Sequence, residues 1–238
     1  MSKSTNSRSL SVGTLTGAMA LGRRCRLGRQ QARKRTVEAL VLGQGNAEIG
    51  GQNLLDLAYD KLEELIVTCE LKPGSHLRIQ DLQTMTGFNR MPVYQATTRL
   101  AADTLMIIHP RQGVQISPID LSRASLLLDL RRDLERFVIS LASQRASDAQ
   151  RRQFRHIANL LKTSESLTIS EFNAYDSKID QMVLSACGEP FLQYTLSPLH
   201  TIFRRIGWVY HSYTAGGASL DSTVEGHIAV LDAILSGT

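Results

Sequence analysis

The stretch that most constrains this chain runs from Ile79 to Leu100, IQDLQTMTGFNRMPVYQATTRL. Ile79, Leu82 and Met85 recur at i, i+3, i+6, the spacing that puts side chains on one face of a helix. Thr86-Gly87-Phe88 breaks the pattern, with Gly87 where a helix ends in a left-handed residue at no steric cost. Asn89 offers a capping side chain, and Pro92 falls in the next first turn, where a missing N–H leaves no bond unmade. Val93, Ala96, Thr97 and Leu100 then form an inward stripe, leaving Tyr94, Gln95, Thr98 and Arg99 outside. Two short helices across a tight turn, the second with a polar N-terminal tip, have the shape that enters a DNA major groove.

Helical hairpins are common, so the flanks decide. Upstream, Leu54, Leu57, Ala58, Leu62, Leu65 and Ile66 mark an amphipathic helix ending near Cys69, stopped by Leu71-Lys72-Pro73-Gly74. Downstream, Leu105–Ile108 and Val114–Ile116 read as two short strands around His109-Pro110-Arg111-Gln112-Gly113. The sum is a winged helix-turn-helix with a two-stranded wing. Its wing can lie along a backbone or minor groove while its second helix reads bases.

After Ser117-Pro118 the periodicity is helical throughout. Long helices are expected over Asp120–Arg145, from Ser147-Asp148 through Leu161, over Leu167–Cys187 and over Phe191–Tyr213, with a fifth from Thr223 to Leu235. Short links between them predict an antiparallel bundle, so the fold class is mainly α. The domains are a basic, disordered leader over 1–52, a winged helix over 53–117 and a helical domain over 119–238.

Charge is uneven along the chain. Residues 1–50 carry nine Lys/Arg and two Glu, whereas 51–118 carry six basic and seven acidic groups and 119–238 carry twelve and thirteen. The overall +5 thus belongs to the leader, which predicts sequence-independent attraction to phosphate there and supports nothing of the kind elsewhere. Cys25, Cys69 and Cys187 have neither disulfide nor metal spacing, as expected for free thiols in a reducing, cytoplasmic setting. No apolar run reaches membrane-spanning length.

The segment from Tyr59 to Ile116 resembles the winged-helix domain of GntR-type bacterial transcription regulators. The likeness rests on Leu71-Lys72-Pro73-Gly74, Leu77, Leu82, Gly87, Asn89-Arg90-Met91-Pro92-Val93, Ala96, Arg99-Leu100, Leu105 and Arg111-Gln112-Gly113-Val114. The rest resembles the all-helical ligand-sensing domain of the FadR-like branch, through Asp129-Leu130-Arg131, Leu134-Glu135, EFNAYDSKI, CGEPFL and Glu225-Gly226-His227. The resemblance implies a homodimer that binds operator DNA and senses a small metabolite, often a carboxylate and often through a divalent metal. Where the family places arginines on its reading surface, this chain has Gln80, Arg90 and Tyr94; Gln pairs with adenine and Tyr donates a single bond. The expected DNA-binding set is Gln80, Arg90, Tyr94, Thr98 and Arg99, with Arg111 and Gly113 on the wing.

The family's metal site implies Asp176 as a ligand, a second ligand one turn on, where Asp180 stands in place of the usual histidine, and His227. A last family histidine would lie beyond Thr238, so the helical domain is expected to be cut short. Two Asp and one His favour Mn, Mg or Fe over Zn. Arg131 and Arg204 are the candidates for pairing with an anionic effector, with salt bridges to Glu135 or Asp180 as the alternative. His156, His200 and His211 are read as structural or surface residues. A helical-bundle metalloenzyme competes poorly, because no nucleophile, cofactor loop or second metal motif is present; the chain is expected not to be an enzyme. A dimeric interaction protein that kept the fold without operator or effector recognition is the other alternative.

Overall fold

The computed structural model describes residues 53–164, 166–213 and 219–237, and the basic leader expected over 1–52 lies outside them. Helix α1 (Leu54–Val67) starts where the Asn53 side chain accepts the Leu55 N–H at 3.2 Å. It buries Ala58, Tyr59, Leu62, Leu65 and Ile66 against α3 (Arg90–Ala102), whose Val93, Ala96, Thr97 and Leu100 are all at most 1% exposed. Between them lies α2 (Ile79–Thr86), closed by Gly87 at φ 76°, the left-handed turn that its position in the sequence calls for. Met85 departs from the expected stripe: Leu82 is fully buried, but Met85 is 43% exposed, because an eight-residue helix packs through its middle and frees its end.

The wing is larger than the sequence reading allowed. Strands β2 (Met106–His109) and β3 (Gly113–Ile116) pair antiparallel, and β3 also pairs with a two-residue β1 (His76–Leu77), giving the order β1-β3-β2. Two residues are too few to show any period, so β1 leaves no trace in the sequence. The wing enters the same core, through Leu105, Met106, Val114 and Ile116.

The helical domain contains α4 (Ala124–Arg145), α5 (Asp148–Lys162), α6 (Ile169–Cys187), α7 (Pro190–Tyr213) and α8 (Asp221–Ser236). Ser147 with Gln150, and Thr168 with Glu171, form reciprocal capping boxes that start α5 and α6. Cationic side chains close the far ends: Arg145 donates to the Cys187 carbonyl at 3.0 Å, and Arg151 to that of Ile234 at 3.1 Å. Packed residues include Val138, Ala142, Phe154, Ile157, Leu161, Ile179, Leu196, Leu231 and Ile234. The apolar stripe of α4 is only partly used. Leu126, Leu130 and Phe137, which its periodicity marks as inward, are 72%, 50% and 56% exposed.

Helix α7 joins the two domains. Its Ile202 packs against the winged-helix core, and Arg205 donates to the Ser117 carbonyl at 2.8 Å, at the end of the wing.

Candidate nucleic-acid interface and sensing pocket

The first turn of α3 projects from the head. Asn89 has the extended backbone of an N-cap without a side-chain capping bond, and Arg90 follows it, exposed and with no hydrogen bond or ion pair among the described residues. Tyr94, one turn on, is 52% exposed. Thr98 is exposed too, but its hydroxyl donates back to the Tyr94 carbonyl at 3.0 Å, so its oxygen remains available only as an acceptor. Gln80 lies exposed in the first turn of α2.

Arg99 differs from the others. Nine residues past Arg90 is about half a turn of azimuth at roughly 100° per residue, which aims it at α1. There its guanidinium meets Asp56 at 3.1 Å and lies 4.2 Å from the centroid of the Tyr59 ring. Its side chain is half exposed, yet it fastens α3 to α1 and is turned away from the tip. On the wing, Arg111 sits exposed at φ 65° in the turn. Gly113 has a packing reason to be glycine: at φ 108°, an added Cβ would lie 2.3 Å from the Leu77 carbonyl oxygen of β1.

In the helical domain, α4, α6, α7 and α8 enclose two adjoining cavities. The smaller, of about 120 Å³, is lined by Arg131, Phe172, Asp176, Arg204, Trp208 and His227 among others. The larger, of about 360 Å³, is lined by Arg131, Glu135, Asp180, His200 and His227 among a mostly apolar wall. The three carboxylate and imidazole groups expected to share a centre divide between two clusters. Asp176 and His227 meet directly, Nε2 to Oδ1 at 2.7 Å. Asp180, one turn along α6, faces His200 at 3.4 Å and lies with Glu135.

The tautomer of the first pair follows from its second bond. His227 Nδ1 is 2.8 Å from the Thr223 carbonyl, which only accepts, so Nδ1 carries a proton. An ionised Asp176 also only accepts, so opposite it Nε2 carries a proton as well and the pair is a carboxylate with an imidazolium. Burial works against both charges. For Asp176 it is outweighed by the His227 hydrogen bond and charge, with Arg204 and Arg131 beyond, and the carboxyl is held below its ordinary range. For His227 burial is likewise outweighed by Asp176, and the ring is held above its ordinary value.

Glu135 receives the Arg131 Nε at 2.6 Å, and His200 Nε2 approaches the same oxygen at 3.2 Å. Burial raises Glu135, but its neighbours His200 and Arg131 more than reverse that and leave it lowered. Asp180 goes the other way: burial and then the charge of Asp176 carry it to about 6, against the pull of His200. His200, read from sequence as structural or surface, belongs to this cluster. The one hint was its position a helical turn before Arg204, which sequence reasoning had already singled out.

Arg204 lines the smaller cavity and at the same time pairs with Glu63 of α1 at 3.2 Å. Thr201 donates its hydroxyl to the same Glu63 carboxylate. The Arg204 side chain is 9% exposed and that of Glu63 15%, so the pair is largely shielded from water.

A three-stranded winged helix joined to a helical domain with internal cavities defines a class, the two-domain regulators with a reading head and a sensing bundle. A family model described as bacterial regulatory proteins, gntR family, matches residues 55–116, and one described as the FCD domain matches residues 126–238. The chain belongs to this family of GntR regulators with an FCD domain, a family of transcription regulators and not of enzymes. McbR/YncC of E. coli has a similar structure, with TM-score 0.64 and 18% identity over 78% of this chain and 88% of that one. A putative GntR transcriptional regulator from Rhodococcus sp. RHA1 aligns at TM-score 0.54 and 15% identity, over 77% of this chain and 86% of its own. In sequence, an uncharacterised HTH-type transcriptional regulator of Streptomyces ambofaciens is 33% identical over 86 residues, a match that spans 36% of each protein. No described helix is long and apolar enough to cross a membrane.

The family implies a divalent metal in the helical domain. The donors at its usual position fit in part. Asp176 and His227 Nε2 are adjacent, and Nδ1 is tied to a backbone carbonyl as in second-shell arrangements that orient a metal-binding ring. Asp180 is turned to His200 and does not complete that set. Among the described residues, Glu135, Asp180 and His200 form a group whose ligand atoms lie within 4.8 Å of one another.

Proposed function

We propose that this protein is a sequence-specific, cytoplasmic DNA-binding regulator that acts as a homodimer and responds to a small anionic metabolite in its helical domain. The reading contacts are Arg90, Tyr94 and Thr98 on α3 and Gln80 on α2, with Arg111 on the wing and Gly113 letting the wing fold tightly. The basic leader adds salt-sensitive attraction to phosphate. Arg131 and Arg204 supply the positive wall that a carboxylate would meet.

The observation that carries the reading is the position of Arg204, which faces the cavity and also grips Glu63 of the head. An anion entering the cavity competes with Glu63 for the same guanidinium. Binding therefore favours the state in which α1 is less firmly held, and shifts the balance between DNA-competent and incompetent arrangements by its differential affinity for them. The exposed stripe of Leu126, Leu130 and Phe137 on α4 supports the homodimer, being apolar surface left uncovered among the described residues.

The test is a gel-shift titration of the full chain on DNA from upstream of its own coding region, beside a scrambled duplex of equal length, at two salt concentrations. The upstream DNA should shift at a protein concentration at least tenfold lower than the scrambled duplex, with both losing affinity in salt. Equal, weak shifts of both duplexes would overturn the regulator reading.

A further inference from the structure

Helices α4, α6 and α7 bring Glu135, Asp180 and His200 together on the wall of the larger cavity. The imidazole of His200 is only 5% exposed, and its two nitrogens face the two carboxylates, Nε2 to Glu135 at 3.2 Å and Nδ1 to Asp180 at 3.4 Å. Neither approach has the alignment of a hydrogen bond, and both ring nitrogens and the Asp180 Oδ2 atom are buried without a hydrogen-bond partner. Buried polar atoms left in that state cost free energy, and several converging on one point indicate a missing partner. A cation satisfies them together, because on a neutral ring one nitrogen lone pair and the two carboxylate oxygens lie within reach of a single point.

Arg131 does not fill the role. Its Nε bonds Glu135, and its charge is shared with the smaller cavity. At the position that the family would use, His227 Nε2 and Asp176 satisfy each other at 2.7 Å, whereas His200 and Asp180 Oδ2 have no hydrogen-bond partner and only Glu135 is shared with a cation, Arg131. We propose that this chain holds a divalent cation of the Mn, Fe or Zn type at Glu135, Asp180 and His200, and not between Asp176 and His227. Two oxygens and one imidazole nitrogen suit these ions better than calcium, which takes oxygen ligands, or the thiolate-preferring ions. Three protein ligands leave coordination positions open toward the cavity, where water or a carboxylate ligand completes the shell. The ion sits one residue from Thr201, whose hydroxyl binds Glu63, so its occupancy also fixes the turn of α7 that holds the head. The site does not depend on which DNA the head reads.

The experiment is calorimetric titration of chelator-treated full-length protein with Mn²⁺ and with Zn²⁺, for wild type, Glu135→Gln, His200→Gln and Asp176→Asn. Wild type and Asp176→Asn should bind one ion per chain with similar affinity, and the other two variants should bind at least about tenfold more weakly. Loss in Asp176→Asn with retention in His200→Gln would overturn the proposal and return the ion to the family's position, and no binding by wild type would overturn it outright. Helical circular dichroism checks that each variant folds. If the pocket variants do not fold, anomalous diffraction from Mn²⁺-soaked wild-type crystals decides the matter, a peak beside His200 supporting the site and a peak beside His227, or none, overturning it.

Discussion

Arg90 and Arg99 carry the same charge on the same helix and have different surroundings. Arg90 is exposed at the tip with no partner among the described residues, while Arg99 is committed to Asp56 and Tyr59. Arg90→Ala should therefore cost about 1–3 kcal/mol of discrimination in favour of the operator if it reads a base. Arg99→Ala should weaken operator and scrambled duplex alike, through the seating of α3 on α1. Competition gel shifts with the two duplexes separate these outcomes, and equal loss of discrimination in both variants would contradict the geometry. The sequence could mark both arginines as outside the buried stripe. It could not tell the open tip from the side facing α1, because periodicity reports which positions leave the core and not what stands opposite them. The same limit hid His200, whose partners come from helices α4 and α6 that only the fold brings near.

At the scale of elements, punctuation was the legible part. Gly87, Pro92 and Ser147 each mark a helix end through a local rule that needs no tertiary context, and helices begin or end beside those residues, whereas the Thr168 cap of α6 emerges only in the structure. The wing was half legible: β2 and β3 show as short apolar runs, while β1 exists only because β3 offers it an edge. Gly113 makes that joint tight. Gly74 and Gly113 both have positive φ, but a Cβ on Gly74 meets nothing within 4 Å and one on Gly113 meets the β1 backbone. Gly74→Ala should cost only the backbone strain, on the order of 1 kcal/mol, and Gly113→Ala more, about 2–3 kcal/mol or greater, with the β1–β3 pairing disturbed. Urea unfolding of both variants measures the difference; equal losses would show that the wing yields at no cost.

For the whole molecule, the unmatched feature is α4. From its period Leu126, Leu130 and Phe137 belong to a buried face, and buried they would be if a second copy covered them; a hydrophobic period looks the same for a core and for an interface. Sedimentation at micromolar concentration should return about twice 26.3 kDa for the wild type, and Phe137→Glu should shift the population toward the monomer by placing a charge in the centre of the contact. A wild-type monomer, with and without DNA, would remove the homodimer.

The pairing of Arg204 with Glu63 also bears on how freely such proteins can exchange parts. Winged heads and helical domains look like separable modules, yet here a shielded guanidinium of one is neutralised by an acid of the other. A head transplanted onto this bundle without an acidic residue at the place of Glu63 would leave that cation stranded in a poorly hydrated seam. Recombination between relatives is then filtered at the position of Glu63, beside the Arg205 bond to Ser117, and descent of the head becomes tied to descent of the bundle.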